Sequence, residues 1–109
     1  MSAETVVSAV RGAGLPIARL AWPLGSAPEL PWCVFRLDED AKLNADGGRW
    51  ASYPRWAVEL YQRSSDAGTE RKLEEAISAS FGDYDKREAW VEGESCVMTT
   101  YTFTDFERT

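Results

Sequence analysis

The stretch Thr69 to Thr104, TERKLEEAISASFGDYDKREAWVEGESCVMTTYTFT, changes its hydrophobic period from helical to strand-like, and that change decides the fold class. Leu73, Ile77 and Phe81 fall at i, i+4 and i+8, so they share one helical face, with Ala76 and Ser80 beside them. Glu70, Arg71, Lys72, Glu74 and Glu75 are expected to cover the remaining surface. Gly82 is placed to end this helix. Beyond it, residues 84–92 and 95–104 predict two strands, with Glu92-Gly93-Glu94-Ser95 as the hairpin turn between them. In the last strand Val97, Thr99, Tyr101 and Phe103 share one face; Cys96, Met98, Thr100 and Thr102 share the other.

The preceding sequence extends the same pattern. Val6, Val7 and Val10 recur at helical spacing over residues 3–12, with Ser2 as a candidate N-cap and Gly14 as the C-terminal glycine. Ile17 to Trp22 predicts a short strand. Pro23 to Pro31 holds three prolines in nine residues, an extended connection with little capacity for helix or ladder. Trp32 to Leu37 predicts a strand, followed by the acidic cluster Asp38-Glu39-Asp40, expected as a solvated loop. Gly47-Gly48 marks a turn before a long strand over 49–63, in which Trp56, Val58 and Leu60 alternate with Ala57, Glu59 and Tyr61. Pro54 puts the early part of that strand at an edge or a bulge. Helix, strands, helix, strands predicts an α+β fold: one domain over residues 1–109, a mostly antiparallel sheet with two helices on one face.

Composition narrows the chemistry. Among 109 residues there is no histidine, which removes Ser-His and Cys-His nucleophile pairs and the usual catalytic zinc site. Neither a phosphate-binding glycine loop nor a dinucleotide fingerprint occurs. The consecutive acids at 38–40 lack the alternate spacing of a calcium loop, so no metal and no cofactor is expected. A net charge of −6 argues against specific nucleic-acid binding. No apolar run reaches the length of a membrane helix, no leader segment is visible at Met1 to Thr5, and no membrane partner is expected. Cys33 and Cys96 lie far apart in separate strands and are expected as buried free thiols.

Five tryptophans, four tyrosines and four phenylalanines remain to be placed. Trp32 and Trp56 are expected in the core. Trp50, beside Gly47-Gly48 and Arg49, is a candidate interface anchor, and Trp22 is a second. Arg49, Arg55 and Arg63 accompany Glu59 in the long strand; they form either a solvated sheet face or pairs with acids of a neighbouring subunit.

Taken in order, these segments resemble a family. The segments are Gly14-Leu15-Pro16-Ile17-Ala18, then Ala27-Pro28-Glu29-Leu30-Pro31-Trp32-Cys33-Val34-Phe35, then an acidic stretch from Asp38-Glu39-Asp40 to Asn44-Ala45-Asp46. Trp56-Ala57-Val58-Glu59-Leu60-Tyr61 follows, then Glu70 to Ile77, Trp90-Val91-Glu92 and the closing strand Met98 to Phe103. Nearly the whole chain resembles the small tail-component proteins of long-tailed phages and prophages, known as tail completion, tail terminator or head-to-tail joining proteins. The stretch Gly47 to Ser52, with Pro54 beyond it, departs from the family's more regular pattern.

The resemblance implies a non-enzymatic virion protein, made in the host bacterial cytoplasm and incorporated into the tail. It implies a ring, typically a hexamer, whose partners are further copies of itself, the tail tube protein and the head-side connector. Trp22, Arg49, Trp50 and Arg55 are then the candidate subunit or partner contacts. Asp38, Glu39, Asp40 and Asp46 are the candidate acidic loop, presenting negative charge to a lumen through which DNA passes without being held. The alternatives are a head-side connector or neck protein, and a monomeric α+β adaptor unrelated to virions.

Overall fold

Among the described residues, two glycine-terminated helices and five strands carry the chain. The structure, a computed structural model, describes residues 2–44 and 50–106, with side chains over 3–39 and 53–106. The elements are α1 (Ser2–Gly12), β1 (Ile17–Arg19), β2 (Trp32–Asn44), β3 (Trp50–Gln62), α2 (Ala67–Phe81), β4 (Asp85–Val91) and β5 (Cys96–Thr104). The strands form one sheet in the order β1-β2-β3-β5-β4, parallel between β1 and β2 and antiparallel elsewhere. This is the α+β fold expected from the sequence: a mostly antiparallel sheet with two helices packed alongside it.

Local chemistry sets the helix ends. At the end of α1, Leu15 N–H donates to Val10 O and Gly14 N–H to Arg11 O, while Gly14 takes φ 85°. That pairing closes a helix with a left-handed residue, where glycine has no Cβ to clash. α2 begins two residues before Thr69, because Asp66 caps it: its Oδ1 accepts from Gly68 N–H and its Oδ2 from Thr69 Oγ1. Gly82, at φ 88°, ends it as the sequence predicts.

One face of the sheet carries the core. Cys33 and Phe35 of β2, Trp56, Val58 and Leu60 of β3, and Tyr101 and Phe103 of β5 meet Val6 and Val10 of α1 and Leu73 and Ile77 of α2. Phe81 packs on Phe103 with ring centroids 4.5 Å apart. The exposed Arg19 guanidinium lies over Phe35 and Trp56 at 5.7 and 5.6 Å, a cation–π cap on the core margin.

Several expectations require correction. The first strand stops at Arg19, because Leu20 adopts φ 68° and turns the chain towards the other side of the sheet. Asp38, Glu39 and Asp40 are not a loop: β2 continues through them to Asn44. Antiparallel pairing with β3 outweighs the weak strand preference of acidic residues, and a β-bulge between Leu37 and Glu39 absorbs the irregularity. Trp32 is not in the core; it is half-buried on the face away from the helices, paired with Tyr61. Glu70 does not cover the surface: it is buried at 8% exposure between Gln62 and Lys86. The Gly47-Gly48 turn, Arg49 and Asp46 lie outside the described residues.

Both cysteines are free and buried, as expected. Cys33 faces the helices, Cys96 lies two residues from Met98 on the opposite side, and β3 separates their strands. Burial pushes the Cys33 thiol up to about 12, so it is protonated and unreactive near neutrality.

Candidate functional site

The face of the sheet turned away from the helices carries a polar zone and an aromatic zone. Its cross-strand rows follow from the register. Trp32, Tyr61, Met98 and Ala89 form one row; Val34, Glu59, Thr100 and Arg87 the next; Arg36, Ala57, Thr102 and Asp85 the third. Arg55 and Thr104 stand opposite each other beyond them.

Two zones result. In the first, Arg55 Nη2 donates to Asp85 Oδ2 at 2.8 Å and to Thr102 Oγ1 at 3.0 Å, and Nη1 donates to Thr104 Oγ1 at 3.3 Å. Asp38, the bulge residue, is shared between two arginines: Arg36 Nη1 at 2.8 Å and Arg55 Nε at 3.8 Å. Arg36 Nη2 also reaches Glu59 Oε2 at 3.7 Å. The bulge sets Asp38 and Glu39 against the single residue Arg55, and so brings the Asp38 carboxylate into this net. A shallow groove of about 520 Å³ runs along the net. Because these charges are paired with each other, the zone is an ordered polar surface.

The second zone is aromatic. Trp22 meets Trp32 edge-on at 6.0 Å, and Trp32 lies 4.7 Å from Tyr61. With Leu20, Leu24, Leu30, Val34 and Val91 they line a groove of about 570 Å³, with Glu59 and Glu94 at its margins. Leu24 is fully exposed, and Leu20 is 70% exposed. Burial and the neighbouring Glu59 push the Tyr61 hydroxyl up to about 12, so it stays protonated and donates to Glu59 Oε1.

The candidate contacts therefore separate. Trp22 lies in the aromatic groove and Arg55 in the ion-pair net, where it pairs with acids of its own chain. Trp50 is the first residue of β3, opposite Asn44, and its side chain lies outside the described ones; Arg49 lies outside altogether. Of the acidic candidates, Asp38 is in the net and Glu39 is exposed at the bulge, while the Asp40 side chain and Asp46 are not described. Trp32, Arg36 and Tyr61 join the surface without having been singled out from sequence. The signal that finds them is strand parity, since all three share the phase of Glu59 once β2 and β3 are paired.

A third cluster sits on the helix side, at the β4 edge. Lys86 Nζ lies 2.7 Å from Glu74 Oε2 and 2.9 Å from Glu70 Oε1. Tyr101 OH donates to Glu74 at 2.8 Å, and Gln62 Nε2 to Glu70 at 3.2 Å. Hydrogen bonds to Glu74 and Glu70 hold the Lys86 ammonium above its ordinary value. Burial alone would raise Glu74, but hydrogen bonds from Lys86 and Tyr101 outweigh it and hold the carboxyl below the ordinary range. Burial, with Glu74 adding to it, raises Tyr101. Lys86, Glu74 and Tyr101 are moved away from neutrality, opposite to what a general acid or base requires. The cluster fastens β4 to α2. Among the described residues, no group of three or more His, Cys, Asp or Glu side chains is arranged to hold a metal ion.

No family model matches this chain, and no curated protein matches it.

Proposed function

We propose that this protein is a structural component of a phage or prophage tail, a ring that ends the tail tube at its head-proximal end and joins it to the head-side connector. The ordered resemblance of nearly the whole chain to tail completion and terminator proteins supplies the reading. The observation that best supports it is the helix-free sheet face, where a fixed arginine–carboxylate net adjoins an aromatic groove. Aromatic residues and arginine dominate the energetics of protein–protein contacts, and a charge net fixes their register. Glu39, exposed at the bulge, is the described side chain assigned to the acidic surface that faces the lumen, whereas Asp38 is held by Arg36 and Arg55 in the net. Trp22 and Arg55 belong to the contact surface on this reading.

The test is tube growth. Tail tube protein polymerising with this chain present is expected to give short tubes carrying the chain at one end, seen by electron microscopy. Tubes of unchanged length with no bound chain would overturn the proposal. Binding instead to a purified portal–adaptor complex would move the function to the head side.

A further inference from the structure

We propose that the aromatic groove binds an extended, proline-containing peptide segment of a partner protein, and that this segment carries an arginine. Such binding goes beyond the tail reading, because it requires no ring.

Charge selects the cation. Among the described residues, Glu59 and Glu94 are the charged side chains that line the groove, and both are acidic. Glu59 is held at long range, by Tyr61 OH at 3.4 Å and Arg36 Nη2 at 3.7 Å. Glu94 is exposed and makes no hydrogen bond or ion pair among the described residues. Arginine suits this margin better than lysine, because its planar guanidinium both stacks on an aromatic face and bonds a carboxylate side-on. The chain makes the stacking contact within itself at another place, where Arg19 lies over Phe35 and Trp56. A net charge of −6 draws a basic segment towards the protein.

Shape selects the segment. The groove runs from Trp32 on β2, past Tyr61 on β3 and Cys96 on β5, to Val91 on β4. Three strand spacings make about 14 Å, the length of about four or five residues of polyproline helix. Trp22 meets Trp32 at an interplanar angle of 70°, which leaves a step of ring face and ring edge for a pyrrolidine ring to fill. Leu24 and Leu30 extend the apolar wall. A proline-containing segment is extended before it binds, so little entropy is lost, and aromatic grooves recognise it for that reason. Its carbonyls make no internal hydrogen bonds. The Trp22 indole N–H is buried and has no acceptor among the described residues. A shift of the loop from Leu20 to Pro31 lets one of those carbonyls supply it.

The probe is a synthetic peptide, Ala-Pro-Leu-Pro-Arg-Pro-Leu-Ala, titrated into the full-length protein and followed by the tryptophan indole N–H signals in heteronuclear NMR. The Trp22 and Trp32 signals are expected to shift and saturate, while that of Trp90, opposite Val97 on the other face of the sheet, stays in place. Glu94→Lys and Leu24→Lys are at exposed positions where folding is undisturbed. Each is expected to weaken binding about tenfold, as is replacing the peptide's arginine by glutamate. No saturating shift with about 1 mM peptide overturns the proposal. Equal binding of the glutamate peptide, of a peptide with glycine for each proline, or of free arginine also overturns it. So do Trp22 and Trp32 signals that move with protein concentration before any peptide is added, since a second copy would then be the occupant. Tube capping is measured separately, so it can fail while the groove binds peptide, or hold while the groove does not.

Discussion

Phe103→Ala is expected to destabilise the fold by about 3–5 kcal/mol, measured as a shift in the urea midpoint. Phe103 is 1% exposed, pairs with Trp56 across β3 and β5, and packs on Phe81 of α2. Its removal opens a cavity where the sheet meets α2, and neighbouring strands cannot collapse into it. Single domains are stable by about 5–15 kcal/mol, so a large share of the molecules would unfold on mild heating. The control is three residues away. Thr100→Ala lies on the helix-free face of the same strand and is expected to change stability by about 0.5 kcal/mol or less. Equal effects at the two positions would contradict the assignment of the two faces.

Lys86→Met is expected to cost about 1–3 kcal/mol, since it leaves the buried Glu70 and the half-buried Glu74 facing one another without their shared cation. The pH dependence follows from the directions of the shifts. Glu74 is held below its unfolded value, so its contribution is full above the ordinary carboxylate range and is lost as pH falls through the folded value. Lys86 is held above its unfolded value, so its contribution is full below the ordinary lysine range and is lost as pH rises through the folded value. Stability from this cluster is therefore greatest between about pH 5 and 10. In Lys86→Met the acid-side loss becomes shallower, because Glu74 no longer has a cation holding it down. Urea midpoints of both proteins at pH 7 and pH 3 check this. A variant whose acid-side slope equals that of the unmodified protein would contradict the pairing. Adding Glu74→Gln to Lys86→Met should cost less than the sum of the separate effects, as for any directly coupled pair.

These cases show which features the sequence makes legible. α2 and β5 are readable because each presents one apolar stripe against polar neighbours, so the period alone orients them. β2 offers no such contrast. Trp32 and Val34 on one phase are as apolar as Cys33 and Phe35 on the other, and only pairing with Glu59 on β3 shows which phase faces the helices. Glu70 is a different failure. It stands three residues before Leu73 and seven before Ile77, on the buried stripe, but its charge argues for solvent until Gln62 and Lys86 arrive from other elements. Asp38 to Asp40 look like a loop because local preference is all that a single strand displays. The ladder to β3 and the two arginines that hold Asp38 come from outside the segment. The aromatic groove was half legible: Trp22 stands out as a candidate contact, whereas its partners Trp32 and Tyr61 join it through the turn at Leu20 and the β2–β3 register.

The measurement closest to the central claim is the solution mass by light scattering, over a series of protein concentrations and salt, with and without purified tail tube protein. The monomer mass is 12.2 kDa. A ring is predicted, with a mass that stops at a fixed multiple of the monomer and stays there as concentration rises, either alone or once tube protein is added. A monomer at every concentration, indifferent to tube protein, would contradict the account.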